Sequence, residues 1–126
     1  MDGIAIARQR IAEEAAAKTG FLNLGLLGLT ELPDELFALT HLRALHLGDG
    51  TLSFEGREAA NYSFDDDSSP PNHIADSMNR LSRLPNLAAL SIASTDAADL
   101  TPIASLQALQ RLNCSRTPVR DLAPIA

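Results

Sequence analysis

Four segments of this chain repeat one pattern, in which apolar residues occupy positions four, six and eleven of an 11-residue window. The windows begin at Thr19, Leu42, Leu87 and Leu109, so that position four is Leu22, Leu45, Leu90 and Leu112, and position six is Leu24, Leu47, Ile92 and Cys114. Leu22 and Leu45 are 23 residues apart, Leu90 and Leu112 are 22 apart, and the 45 residues from Leu45 to Leu90 equal one interval of each length. A repeat of about 22 residues predicts stacked units that each add one short strand, because no unit can bury its apolar face alone.

The composition is that of one small globular domain, with 126 residues, 45% of them apolar and 21% charged. The net charge of −6 argues against nucleic acid as a partner, because clustered Lys and Arg supply most of the affinity for phosphate. No stretch approaches the roughly 20 apolar residues of a membrane span, and the N-terminus has no signal-peptide pattern. We therefore predict a cytoplasmic protein with no membrane partner. Cys114 is the only cysteine, and its place at position six predicts a buried thiol.

The sequence LNLGLLGLTELPDELFALTHLRALHLG, residues 22–48, carries the pattern LxLxxLxLTxLPxxLxxLxxLxxLxL nearly whole and resembles bacterial leucine-rich repeat proteins. Residues 87–125, LAALSIASTDAADLTPIASLQALQRLNCSRTPVRDLAPI, resemble the internalin-like subclass. The resemblance implies an α/β fold, a right-handed leucine-rich repeat solenoid that forms part of a horseshoe. It also implies a parallel sheet on the concave side and a capping helix at the N-terminus.

The repeats divide the chain as a single domain. Residues 2–18 are predicted to form the capping helix, and the repeats span 19–41, 42–86, 87–108 and 109–126. Strands are expected near 22–24, 45–47, 89–92 and 111–114. The second repeat is long because turn-forming and acidic residues predict an inserted loop at about 53–73. A helix follows at 74–84, with Asn72 as a candidate N-cap. The fourth repeat is about four residues short, which predicts a longer native array or a truncated product.

Position nine departs from the family pattern. The resemblance implies an Asn there, whose side chain bonds to backbone carbonyls at the bend, but this chain has Leu27, Gly50, Thr95 and Thr117. Threonine supplies part of that bonding through its hydroxyl, whereas Leu and Gly supply none. The sequence therefore predicts irregular bends in the first two repeats.

Side chains alternate across a strand, so one set of positions in each repeat faces the concave side and forms the candidate binding surface. The residues selected there are Phe21, Asn23, His46, Asp49, Ser91, Ser94, Arg111, Asn113 and Arg116. Small residues such as Ala44 and Ala89 predict a shallow floor in the middle repeats. The two arginines predict a basic rim near the C-terminal end.

A catalytic site is not expected. His46 and Asp49 with Ser91 or Ser94 would make a triad only without the G-x-S-x-G turn that exposes a nucleophile. Asp65, Asp66 and Asp67 lack the alternating spacing of a calcium loop, and no glycine-rich phosphate-binding motif is present. We therefore predict no enzyme activity, no metal and no cofactor.

The sequence favours a non-catalytic interaction module that binds a protein or peptide on its concave face. Two alternatives remain open. The front of the chain is similar to the repeat regions of Roco-type bacterial GTPases, which would make it the recognition part of a larger signalling protein, and the same repeats occur in effectors that bacteria deliver to host cells. A homodimer through the C-terminal end is also predicted, because Leu106, Leu109, Leu122 and Ile125 are expected to face outward there.

Overall fold

A computed structural model of the chain describes residues 3–61 and 72–119. It is an α/β structure whose main sheet has four parallel strands. The helix α1 (Gly3–Ala17) precedes the strands β1 (Phe21–Asn23), β2 (Ala44–His46), β3 (Gly50–Phe54), β4 (Arg57–Asn61), β5 (Ala89–Ser91) and β6 (Arg111–Asn113). The order in the main sheet is β1-β2-β5-β6. The four parallel strands lie within one residue of the predicted segments.

The register of the main sheet aligns equivalent positions of the sequence repeat. Leu22 pairs with Leu45, Leu45 with Leu90, and Leu90 with Leu112. Strand β2 therefore pairs directly with β5, although 45 residues separate Leu45 from Leu90. Among the residues that the structure describes, the extra residues of the second repeat add no strand to the main sheet.

Over residues 3–61 and 72–119, the connections between the parallel strands contain three 3-10 helices, spanning Asp34–Ala38, Ala75–Arg83 and Thr101–Ile103. Pro33 precedes the first with an extended backbone, and Asp34 and Glu35 lie in its first turn, where acids favour the positive end of the peptide dipoles. The predicted helix at 74–84 is thus a 3-10 helix. Its N-cap is Ile74 and not Asn72, so the predicted capping role of Asn72 was wrong.

The core is a set of stacked aliphatic rows between the main sheet and these helices. Its fully buried side chains include Leu24, Leu36, Leu45, Leu47, Leu81, Leu90 and Ile92. Helix α1 lies at the β1 end, where Ala7 and Ile11 join the core. Cys114 is only half-buried at the β6 end, since β6 has a sheet neighbour on one side alone among the described residues.

Glu14 is a charged residue of α1 whose side chain is buried. Its carboxylate accepts hydrogen bonds from Thr19 Oγ1 at 2.6 Å and from the Gly20 N–H at 2.7 Å. His41 Nε2 lies 2.7 Å from the same carboxylate. Burial raises the pKa of Glu14, but these hydrogen bonds and the His41 charge outweigh it, so the pKa is lowered. The ionised carboxylate therefore ties the end of α1 to both ends of the first repeat.

The predicted loop after Leu52 is replaced, over the residues described, by a β-hairpin. Strands β3 and β4 are antiparallel and pair Phe54 with Arg57. Glu55 and Gly56 between them have φ values of 50° and 80°, as a two-residue type I′ turn requires. The Glu-Gly pair was the missed sequence signal. The acidic run and Pro70-Pro71 lie outside the described residues.

Asn72 supplies the missing amide at position nine of the second repeat. Its Nδ2 donates to the carbonyls of Leu24 at 2.8 Å and Leu47 at 2.9 Å, and its Oδ1 accepts the N–H groups of Leu27 at 3.3 Å and Leu29 at 2.8 Å. Thr95 and Thr117 donate to the equivalent position-six carbonyls of Ile92 and Cys114. Asn72 therefore supplies, for the first two bends, the side-chain bonding that Leu27 and Gly50 lack.

Asn72 follows Asp49 in the repeat pattern, with residues 50–71 inserted between positions eight and nine. The sequence itself indicates where the insertion ends, although the spacing of the leucines does not show it. Residues NHIAD, beginning at Asn72, match TDAAD from Thr95 and TPVRD from Thr117 in having a polar residue first and Asp fifth. Without the 22 inserted residues, the intervals between equivalent leucines of successive strands would be nearly equal.

Candidate functional site

The main sheet has two unlike faces. Leu22, Leu45, Leu90 and Leu112 point into the core, and the alternate residues of each strand point to the opposite side. We call that side the hairpin face; it carries Phe21 and Asn23 of β1, Ala44 and His46 of β2, Ala89 and Ser91 of β5, and Arg111 and Asn113 of β6. All the predicted partner-binding residues lie on this face or just beyond its strands.

The hairpin of β3 and β4 covers the middle of this face. Leu52 and Phe54 are buried in a second apolar cluster with Ala44, Ala88 and Ala89, and Phe21 packs at its edge. The small residues that were predicted to form an open shallow floor are therefore covered by the hairpin. We call the shallow apolar site that holds Leu52 and Phe54 the seat. Because alanine side chains are small, they leave a depression in the sheet surface, and the larger side chains of Leu52 and Phe54 fill it.

Two arginines on the main sheet's side hold the hairpin at its edges. Arg43 Nη1 lies 2.5 Å from Glu55 Oε1, and its guanidinium lies 5.3 Å from the Phe54 ring centre. Arg111 Nη1 donates to the Ser53 carbonyl at 3.1 Å. The Arg43–Glu55 pair is about half exposed, so we expect it to contribute little stability.

His46 is completely buried under the start of the hairpin. The Gly48 N–H donates to its Nδ1 at 3.3 Å, so Nε2 carries the proton and donates to the Gly50 carbonyl at 2.8 Å. Burial lowers the pKa of His46 from its ordinary value of 6.5, against the opposing effects of the Gly50 bond and the Asp49 charge. His46 is therefore a neutral ring that secures β3, and it has no surface for a partner.

Ser91 lies beside His46 in the register and is also fully buried. Within the described ranges its Oγ has no hydrogen-bond partner. Neither His46 nor Ser91 is accessible to a partner in this conformation, contrary to the expectation that both line an open surface. For His46 the start of the inserted hairpin is in direct contact with the ring, through the Gly50 carbonyl, and the repeat pattern does not contain the position of the hairpin.

The accessible polar residues of the hairpin face gather towards β6. Ser94 Oγ donates to Asp49 Oδ1 at 2.9 Å, and Arg116 Nη1 lies 3.3 Å from Asp49 Oδ2. Ser94 and Arg116, both at position eight of their repeats, share a positive φ. Together with exposed Arg111 and half-buried Asn113 they form a polar cluster that we call the β6 flank, comprising Asp49, Ser94, Arg111, Asn113 and Arg116.

On the other side of the hairpin, Phe21 and Asn23 are half-buried beside α1. Arg10 Nη1 donates to the Asn23 carbonyl at 2.9 Å, and Asn23 Oδ1 accepts the Gly25 N–H at 3.0 Å. An open cleft of about 390 Å³ lies between α1 and β1. The hairpin thus divides the predicted binding residues into this α1 flank and the β6 flank.

The geometry does not assemble a catalytic triad. Both ring nitrogens of His46 bond to backbone groups of Gly48 and Gly50, so the ring holds neither a serine hydroxyl nor the Asp49 carboxylate. Ser94 instead donates to Asp49 directly. No group of three His, Cys, Asp or Glu side chains is placed to hold a metal ion in the part of the chain that the structure describes.

No protein-family model matches the chain, and no curated protein matches it. Among solved structures, an internalin C2 from Listeria monocytogenes str. 4b F2365 aligns with a TM-score of 0.41 and 20% sequence identity. The alignment covers 83% of this chain and 55% of that internalin, so the chain spans about half of its length. A similarity at this level carries no argument about function. In residues 3–61 and 72–119 no helix has the length and apolar character needed to cross a membrane.

Proposed function

We propose that this chain is a leucine-rich repeat module, a right-handed solenoid with its parallel sheet on the concave side, that binds a protein or peptide partner without catalysis. The observation that carries the proposal is the register that aligns Leu22, Leu45, Leu90 and Leu112 in one row. Right-handed connection between parallel strands is the near-universal choice. Stacked repeats of this kind create extended surfaces used for binding.

The partner is proposed to contact the accessible flanks of the hairpin face. The β6 flank presents two arginines, one aspartate and two uncharged hydrogen-bonding side chains, and the α1 flank adds Phe21 and Asn23. Arginine and aromatic side chains are enriched at protein interfaces. The chemistry of these residues suits a protein surface and, at a chain charge of −6, not a nucleic acid.

Photo-crosslinking from single positions tests this proposal. A photoreactive phenylalanine analogue at Arg111 or Asn113 should yield a discrete adduct with a cellular partner, and Arg116→Ala should reduce that adduct. The matched control is the same analogue at Ser82 or Ser105, which are exposed in the connections behind the sheet. Equal adducts from both sides would exclude the hairpin face as the binding surface.

The predicted homodimer through the C-terminal end stays a prediction. Leu106 is buried and Leu109 half-buried, so neither faces fully outward as expected, and Leu122 and Ile125 lie outside the described residues. Light scattering over a range of concentrations decides between a monomer and a dimer.

A further inference from the structure

The hairpin is an addition to the repeat array and not one of its parts. Asp49 and Asn72 hold positions eight and nine of the second repeat, and the hairpin lies in the 22 residues inserted between them. It forms a two-stranded sheet of its own, and no backbone ladder joins it to the main sheet among the described residues. The register from β1 to β6 is continuous beneath it.

The seat that the hairpin occupies is shallow, apolar and separate from the core. Leu52 and Phe54 are its buried occupants, and Ala44, Ala88 and Ala89 form the floor. The row of Leu45 and Leu90 on the other side of the sheet belongs to the main cluster. Loss of the two occupants would therefore expose the seat without opening the core.

One buried polar group on the hairpin face lacks a hydrogen bond. Ser91 Oγ is fully buried without a hydrogen-bond partner in the described ranges, whereas His46, its neighbour in the sheet register, bonds to the Gly50 carbonyl. A buried polar group that lacks its bond favours any occupant that supplies one. The edge contacts of Arg43 with Glu55 and of Arg111 with Ser53 involve exposed side chains, which exchange readily for water.

We propose that the hairpin is an intramolecular occupant of the partner-binding surface, and that the partner is an extended segment that displaces it. That segment carries two apolar side chains at positions i and i+2, as Leu52 and Phe54 do, and a hydrogen-bonding group that reaches Ser91 Oγ. Alternate side chains of an extended strand face the same way, so one short segment fills the seat. This inference rests on the proposed function, because it assigns the centre of the same face to the partner.

A peptide copy of the hairpin tests the seat directly. The probe is a fluorescent, head-to-tail cyclised peptide of residues 50–61, GTLSFEGREAAN, and the control peptide has Ser at the Leu52 and Phe54 positions. The receptor is the full chain carrying Leu52→Ser and Phe54→Ser, which vacates the seat. The matched control receptor carries Thr51→Ala and Glu58→Ala, two exposed hairpin positions.

We expect the vacated receptor to bind the probe at least about tenfold more tightly than the parent chain or the control receptor does, and the control peptide not to bind. Backbone amide shifts on binding should centre on Ala44, Ala89 and Ser91. A folded, vacated receptor that binds the probe no better than the parent does, or shifts confined to other residues, would overturn the inference.

Hydrogen exchange in the unmodified chain decides the matter if the vacated variant fails to fold. Amides of β3 and β4 should exchange at least about tenfold faster than those of β2 and β5, because a displaceable hairpin opens without global unfolding. Equal rates would make the hairpin an integral part of the fold and end the proposal. Either failure leaves the flank crosslinking experiment unaffected, so it does not count against partner binding itself.

Discussion

The side-chain nitrogen of Asn72 donates to the backbone carbonyl of Leu47, 25 residues earlier, at 2.9 Å. The contact closes the second repeat across the whole insertion, as Thr95 closes the third on Ile92 at 2.7 Å. The chain thus keeps the bonding of its repeat while a 22-residue segment leaves and returns between Asp49 and Asn72.

Asn72→Ala should lower the free energy of unfolding by about 3 kcal/mol, because it leaves buried backbone donors and acceptors of the first two repeats unpaired. The control is Asn86→Ala, which removes one exposed bond to the Thr40 carbonyl and should cost less than about 1 kcal/mol. Urea denaturation measures both variants. A similar small loss for the two would show that water replaces the Asn72 amide.

Leu90→Ala should cost about 2 to 5 kcal/mol, since it opens a cavity in a fully buried row with strands on both sides. Leu112→Ala changes the same row at β6, where the side chain is only half-buried, and should cost clearly less. Thermal or chemical unfolding of the pair measures the gradient. Equal losses would contradict the half-buried position of Leu112.

Gly48→Ala should destabilise the chain by about 3 kcal/mol through overpacking. An added Cβ would lie 2.1 Å from the Ala93 carbonyl oxygen and 2.5 Å from the Ala93 nitrogen, and backbone atoms cannot rotate away. Gly56→Ala is the control, because its Cβ meets no atom within 4 Å and the cost of about 1 kcal/mol comes only from its positive φ. Urea unfolding that ranks Gly56→Ala as the more damaging change would contradict the close approach of Gly48 to Ala93.

The buried His46 predicts a loss of stability in mild acid. Its folded pKa lies below 6.5, so the unfolded chain binds the proton first, and the free energy of unfolding should fall as the pH drops below about 6.5. The slope for one group is at most about 1.4 kcal/mol per pH unit, and the loss ends below the folded pKa.

Urea midpoints of the parent and of His46→Gln between pH 5 and 8 measure this effect. The variant should lose most of the pH dependence in that window, whereas the control His73→Gln, at a side chain 63% exposed, should keep it. An unchanged slope in His46→Gln would assign the acid sensitivity to another group.

The sequence by itself determined the parallel strands and the α1 helix. Apolar residues at fixed positions of each window specify which side chains point into the core. This local alternation places Leu22, Leu45, Leu90 and Leu112 in one row, whatever the length of the connections between the strands. Composition and motif spacing also set the expectation of binding without catalysis. These features depend on residues that are close together in one repeat, and the sequence pattern contains that information.

Tertiary structure alone decided what covers the sheet and what closes the second repeat. The sequence pattern predicted an open surface at Ala44 and Ala89. It could not predict that the inserted hairpin covers them, because the hairpin is not part of the repeat. Leu52 and Phe54 pack against Ala88 and Ala89, which lie about 35 positions later in the chain. The physical reason is that burial is a property of the assembled surface, whereas periodicity describes only the direction in which each side chain points.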